Sequence, residues 1–132
     1  QLAKKENLPI AIRSGGHSFE GFCSNDGGMM IHLGNMKKIK WNEDGSITIQ
    51  AGVLLRELHE QVYAKGKLIP AGSCGGVGIA GLTLGGGYGF FSRKFGLTSD
   101  NLVNATLISA DENILSLIKL FSFDLNGRLI II

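Results

Sequence analysis

Hydrophobic residues in the first fifty positions form three short runs, each bounded by turn-forming residues. The first run, residues 10–12 (IAI), follows Pro9 and leads into a pair of glycines, which predicts a short buried strand. The second run, residues 29–33, follows the turn sequence NDGG. In the third, Ile47 and Ile49 share one face of a strand that follows the turn sequence NEDG, so we predict that the second and third strands form a hairpin-like pair.

The period of the pattern becomes helical at residue 54. Four apolar residues at helical spacing predict a helix that Gly66 would end: Leu54, Leu55, Leu58 and Val62. A polar segment at residues 4–7 is typical of the end of another helix. A glycine-rich stretch occupies residues 69–89, and strands are predicted at residues 104–110 and in the terminal RLIII. This order predicts an α+β fold and not a doubly wound parallel sheet.

The composition predicts one ordered globular domain. The chain has 132 residues, of which 44% are hydrophobic and 18% charged, so it can bury a core. The net charge of +2 is too small to indicate a nucleic-acid partner, and we interpret the lysines at 37, 38 and 40 as a solvated turn. No apolar run reaches about 18 residues, so we expect a soluble protein without a membrane span. Gln1 is not an initiator methionine and no targeting signal is visible, which leaves the natural start, the compartment and the oligomeric state open.

The segment RSGGHS combines the features of an anion-binding turn. Its members are Arg13, Ser14, Gly15, Gly16, His17 and Ser18. Paired glycines let neighbouring amides point at one place, the arginine adds a fixed positive charge, and the serines add hydroxyl donors. The histidine offers a nucleophilic imidazole. A plain turn with a surface histidine explains these six residues equally well, and the remaining His and Cys residues lack the spacing of a zinc site.

The glycine-rich stretch contains a match to the dinucleotide-binding fingerprint G-x-G-x-x-G at Gly76, Gly78 and Gly81. A dinucleotide-binding turn needs a strand immediately before the first glycine, but Pro70 interrupts the apolar residues upstream. Four more glycines follow within nine residues, and each costs a helix about 0.5–1 kcal/mol relative to alanine. Asp100 lies near the spacing of a ribose-binding acid, but no predicted strand leads into it. We therefore interpret this match as accidental.

Three segments in order carry a family resemblance: RSGGHS, then AGSCGGVGIAGLTLGGGYG, then RKFGLTSDNLV. Together they resemble the berberine-bridge-enzyme-like flavin oxidoreductases of the vanillyl-alcohol-oxidase and p-cresol-methylhydroxylase group. The resemblance runs from about residue 8 to residue 110. It implies an incomplete p-cresol-methylhydroxylase-type FAD-binding domain of α+β fold. It also implies hydride transfer from an alcohol, sugar or related small-molecule substrate to FAD, with O2 as the acceptor.

The resemblance implies a role for each site residue. The FAD pyrophosphate would be wrapped by Arg13, Ser14, Gly15, Gly16 and Ser18. His17 would be bonded to the 8α carbon of the flavin, and Cys74, in G-x-C-x-x-V-G, would be bonded to C6. Backbone close to the ring and the diphosphate would come from Gly72, Val77, Gly78 and Gly81. No catalytic residue is assigned, because the family's substrate domain and catalytic base lie outside these motifs.

The chain departs from the family pattern at three places. His32 stands where an aspartate is usual, ADENIL replaces a D-G turn after residue 110, and the sequence diverges beyond residue 115. We therefore predict that residues 1–115 are the N-terminal part of an FAD-binding domain and that residues 116–132 are a divergent or truncated segment. Cys23 is expected to be an inert packing thiol, and Tyr88 to pack beside the glycine loop. A non-catalytic remnant and, less favoured, an NAD(P)-binding module remain alternatives.

Overall fold

The structure, a computed structural model, describes residues 1–118 and 129–131. It contains short helices and two sheets, which confirms a mixed α+β architecture. The elements are α1 (Leu2–Lys5), β1 (Ile10–Arg13), β2 (Met29–His32), β3 (Ile39–Trp41), β4 (Ile47–Ile49), α2 (Leu55–Tyr63), α3 (Ile79–Leu84), α4 (Ser92–Phe95), a 3-10 turn (Ser99–Asn101), β5 (Leu102–Ile108), β6 (Ile114–Ile118) and β7 (Leu129–Ile131). The predicted strand in RLIII is confirmed as β7.

The strands form a parallel pair, β1–β2, and a five-stranded sheet in the order β3-β4-β7-β5-β6. The predicted pairing of the second and third strands is wrong, because β2 lies beside β1 and β4 pairs antiparallel with β3, placing Ile39 opposite Ile49. The reason is local. The NEDG turn directly joins β3 to β4, and the Asn42 amide donates to the Ser46 carbonyl at 2.9 Å. A short turn therefore closes this hairpin.

The core lies where α2 packs on the larger sheet. Leu55, Leu58 and Val62 are fully buried, as their helical spacing predicts, and contact a cluster that includes Ile49 and Ile79. The predicted end of the helix is also confirmed. Gly66 adopts a left-handed φ of +64°, and its amide donates to the Tyr63 carbonyl at 2.9 Å.

The predicted burial of β1 and the predicted turn at the three lysines are wrong. β1 is not a buried strand: Ala11 is buried, but Ile10 and Ile12 are 52% and 59% exposed because they face away from the residues that cover Ala11. The lysine trio is solvated, as predicted, since Lys38 and Lys40 are exposed and Lys37 is part-exposed, but it does not form a turn. Lys40 lies within β3, and the Lys37 ammonium forms an ion pair of 2.7 Å with Glu57 in α2.

Candidate functional site

The first glycine segment begins at the carboxyl end of the parallel strand pair. Arg13 is the last residue of β1, opposite His32 of β2. Gly16 then turns the chain with a φ of +75°, and a Cβ at Gly16 would lie 2.8 Å from the Arg13 Nε. The guanidinium therefore folds back over the glycine pair. This arrangement places a positive charge beside the amides that the sequence predicts as an anion cradle.

The two glycine segments meet backbone to backbone. A Cβ at Gly15 would lie 2.7 Å from the Gly76 carbonyl oxygen and would overlap the Gly78 amide. Conversely, a Cβ at Gly78 would lie 2.6 Å from the Gly15 amide nitrogen and would overlap the Ser14 hydroxyl. Neither position has room for a side chain. The sequence motifs, some sixty residues apart, therefore form one site.

The two predicted nucleophiles lie on neighbouring parts of this contact. His17 is exposed, and its Nε2 lies 3.0 Å from the position that a Cβ on Gly76 would take. Cys74, two residues before Gly76, is also exposed and is a free thiol. Both residues are therefore exposed to solvent, and His17 contacts the loop two residues beyond Cys74.

The start of α2 fixes the glycine loop against the core. The first backbone amides of a helix have no partner within the helix. Here the Leu55 amide donates to the Val77 carbonyl at 2.9 Å, and the Arg56 amide donates to the Gly75 carbonyl at 3.0 Å. These amides are therefore used to hold the loop and are not free to bind an anion.

The serines of the first segment differ in the bonds they make. The Ser14 hydroxyl donates to the Ala51 carbonyl at 2.6 Å, so its one hydrogen is already used within the protein. The Ser18 hydroxyl accepts a bond from the Phe22 amide at 3.2 Å and keeps its own hydrogen available. The role predicted for Ser14 as a pyrophosphate donor stays a prediction, and in this conformation its hydroxyl joins the turn to Ala51.

Two loop glycines could each carry a methyl group without displacing the described chain. No atom lies within 4 Å of the position that a Cβ on Gly81 would take, although Gly81 sits within α3 and costs that helix about 1 kcal/mol relative to alanine. Around Gly72 the nearest atoms lie at 3.5–3.6 Å, an ordinary contact distance. Packing therefore does not require glycine at either position. Open backbone of this kind fits the close approach of a flat, phosphate-bearing cofactor such as FAD.

The geometry does not match a dinucleotide-binding turn. Among the described residues no strand runs into Gly76, because the preceding segment, from Ile69, is irregular loop with a bend at Ser73. The helix that follows, α3, has only six residues and ends at Gly85. Asp100, considered above as a ribose-binding acid, accepts a bond from the Leu97 amide at 2.8 Å. These observations support the interpretation of the fingerprint match as accidental.

The other residues considered in the sequence are described by their exposure and by the contacts they make. Tyr88 does not pack beside the glycine loop, because its side chain is 77% exposed. His59 is half-buried and stacks on Tyr63 at 5.3 Å, and burial lowers its pKa. The His32 Nδ1 accepts a bond from the Gly34 amide at 3.1 Å, and Cys23 is half-buried. Across the part of the chain that the structure describes, no three His, Cys, Asp or Glu side chains are grouped to hold a metal ion.

These elements define a cofactor-binding domain with a cationic glycine turn and a facing glycine loop. The profile of the family described as "FAD binding domain" matches residues 1–117. The chain therefore belongs to the FAD-binding domain family of FAD-linked oxidoreductases. The profile match ends near the predicted boundary at residue 115, which stays a prediction.

Individual relatives agree with this assignment. The chain is 43% identical to the FAD-linked oxidoreductase YgaK of Bacillus subtilis over 83% of its own length and 25% of the relative's. It is 40% identical to berberine bridge enzyme-like 12 of Arabidopsis thaliana, covering 85% of this chain and 22% of that one. The crystal structure of 6-hydroxy-D-nicotine oxidase from Arthrobacter nicotinovorans superposes with a TM-score of 0.84 at 36% identity, over 89% of this chain and 26% of that chain.

The comparisons confirm the family resemblance and the fold class that it implied. They also show that the relatives are FAD-dependent oxidoreductases. The chain spans about a quarter of the length of the relatives it matches. Within the described residues, no helix combines the length and apolar character needed to cross a bilayer.

Proposed function

We propose that the chain holds FAD over the joined glycine segments and that this cofactor is the redox centre of an FAD-linked oxidase. The main support is the contact between Gly15 and Gly78, which joins two glycine segments into one site beside the Arg13 guanidinium. When bound, FAD would supply hydride-accepting chemistry that no amino-acid side chain offers. The protein's part would be to bind, orient and tether it.

The residues divide into three groups by what they offer the cofactor. Charge and donors for the diphosphate would come from Arg13, the amides of Gly15 and Gly16, and the Ser18 hydroxyl. Ser14 would act by holding this turn against Ala51. Close backbone would come from the loop residues Gly72, Val77, Gly78 and Gly81.

We also propose that His17 and Cys74 bind the flavin covalently. Both side chains are exposed and next to the joined glycine backbones, as such bonds require. Each bond would join the ring nitrogen or the sulfur to a flavin carbon with loss of two hydrogens, which O2 accepts as hydrogen peroxide. A neutral imidazole and a thiolate, formed when the cysteine loses its proton, are suitable nucleophiles for this chemistry.

The substrate is proposed to be a small molecule with an oxidisable alcohol or amine carbon. This rests on the likeness to 6-hydroxy-D-nicotine oxidase and on the alcohol and sugar chemistry that the family resemblance implies. O2 is proposed as the electron acceptor because that neighbour is an oxidase.

The test uses protein expressed from the complete reading frame that encodes this chain. The purified protein should be yellow, and mass measurement after its digestion should identify FAD. A colourless protein that binds NADH would contradict the proposal and favour an NAD(P)-binding module.

A further inference from the structure

The glycine loop has a closed neck, where its two ends lie against each other. A Cβ at Gly89 would overlap the Ala71 carbonyl oxygen and lie 2.6 Å from the carbonyl carbon. All the loop residues predicted to approach the cofactor lie between these ends: Gly72, Cys74, Val77, Gly78 and Gly81. The contact at the neck therefore fixes the positions of the two ends of the loop that carries these residues.

Thr98 lies over this neck and is completely buried. Its Oγ1 is 2.6 Å from the Pro70 carbonyl oxygen and 3.0 Å from the Gly87 carbonyl oxygen. Its amide already donates to Gly87 at 3.0 Å, so the single hydroxyl hydrogen is best used by Pro70. Gly87, with a φ of +79°, has no room for a Cβ because the Thr98 side chain occupies that space.

Cys74 lies between two attachments of the loop. On its amino side is the neck at Pro70, and on its carboxyl side the Gly75 carbonyl accepts the Arg56 amide. The Cys74 carbonyl itself accepts the Val77 amide at 3.1 Å, so the bond between Thr98 and Pro70 is the attachment on the amino side of this segment. His17 belongs to the turn after β1, which the neck does not hold.

We propose that Thr98 is a positioning residue that closes the neck and thereby holds Cys74 within reach of the flavin. This inference rests on the proposed function, because it assumes that Cys74 bonds to FAD. No local pattern in the sequence indicates this role, since the bond joins residues that are 28 positions apart.

The test compares three variants of the protein expressed from its complete reading frame. Thr98→Val keeps the shape of the side chain and removes the hydroxyl, whereas Thr98→Ser keeps the hydroxyl. Thr83→Val is the matched control, because Thr83 is also buried but its hydroxyl donates at 2.8 Å to the Ile79 carbonyl of its own helix. The readout is the mass of flavin-bearing peptides after acid precipitation and digestion. Hydrogen exchange across residues 71–74 is measured in flavin-free protein.

In Thr98→Val, the ratio of flavin bonded through Cys74 to Cys74 left free should fall about fivefold, as loss of one hydrogen bond predicts. The His17 bond should be unchanged, and exchange across residues 71–74 should accelerate. Thr98→Ser and Thr83→Val should match the wild type in all three readouts.

An unchanged Cys74 bond in Thr98→Val, or an equal loss in Thr83→Val, would overturn the inference about Thr98 and leave the proposed function intact. A wild-type protein whose flavin is bonded through His17 only would also overturn the inference, while leaving FAD as the cofactor. A wild-type protein without flavin would overturn the proposed function and this inference together.

Discussion

The imidazole of His17 rests on the backbone of Gly76, with Nε2 3.0 Å from the position of a Cβ on that glycine. The contact joins the histidine of the first glycine segment to the loop that carries Cys74. Because neighbouring residues of the same segments also interlock at Gly15 and Gly78, the site is held by backbone contacts. Because the room for a Cβ differs from one glycine to the next, replacing each glycine with alanine should have a different effect on stability.

Gly78→Ala should destabilise the fold. Its methyl group would overlap the Ser14 hydroxyl and lie 2.6 Å from the Gly15 amide nitrogen, and backbone must move to relieve this. We expect the free energy of unfolding to fall by about 1–3 kcal/mol, the usual cost of overpacking. Urea denaturation would measure it, and a loss no larger than that of Gly72→Ala, where space is available, would contradict the expectation.

Gly81→Ala should have opposite effects on stability and on the cofactor. Alanine suits the interior of α3 better than glycine, and no atom lies within 4 Å of its methyl position, so the flavin-free protein should gain about 1 kcal/mol. If FAD uses this open space, the same methyl group should reduce flavin content by about tenfold. The ratio of flavin to protein absorbance tests the second effect. A stabilised variant with full flavin content would show that FAD does not approach Gly81.

Glu57 should make stability depend on pH. Its Oε2 lies 2.7 Å from the Lys37 ammonium and 2.7 Å from the Leu54 amide. Burial raises the pKa of Glu57, but these two bonds and the positive charges of Lys37 and Arg56 together outweigh it, so the pKa is lower than its ordinary value. A pKa lowered by folding adds stability above the unfolded-state value of about 4.3, and this stability is lost as the pH falls through the folded-state pKa.

Glu57→Gln should therefore flatten the slope of unfolding free energy between about pH 6 and about pH 3. At neutral pH the cost should not exceed about 1 kcal/mol, because both side chains of the pair are more than a third exposed to solvent. Chemical denaturation across this pH range is the measurement. Identical slopes in the two proteins would show that Glu57 is not a source of the pH dependence.

Residues 1–132 expressed alone should produce no hydrogen peroxide from alcohol, sugar or amine substrates. A catalytic base must lie within about 3 Å of the proton it removes, or one water away. His59 is stacked on Tyr63, and the His32 Nδ1 is bonded to the Gly34 amide. These contacts direct neither histidine to the joined glycine segments. Peroxide formation by this chain, followed with a peroxidase-coupled dye, would place the active site within it.

Local patterns predicted the fold best where a short segment determines its own structure. The spacing of Leu55, Leu58 and Val62 predicted α2, and Gly66 predicted its end. Strand pairing depends on residues far apart in the chain, so the parallel contact of β1 and β2 was not predicted.

In the candidate site, too, local motifs were predictable and contacts between distant residues were not. The motifs identified the cofactor class and the site residues as a hypothesis. The bonds from Ser14 to Ala51 and from Thr98 to Pro70 join residues 37 and 28 positions apart, and no local pattern marks them. Tyr88 failed as a packing prediction because aromatic character alone does not determine which side chains a fold covers.

Single and double replacements of His17 and Cys74 should distinguish two covalent bonds from one. Both side chains are exposed, and His17 contacts the loop that carries Cys74, so both are candidates to bond one cofactor. If both bonds form, flavin should stay with acid-denatured protein in His17→Ala and in Cys74→Ala and should be released only from the double variant. Mass measurement of the flavin-bearing peptides identifies the bonded residue in each case. Complete release of flavin from His17→Ala would show that Cys74 forms no bond, and it would limit the thiol to contact with the ring.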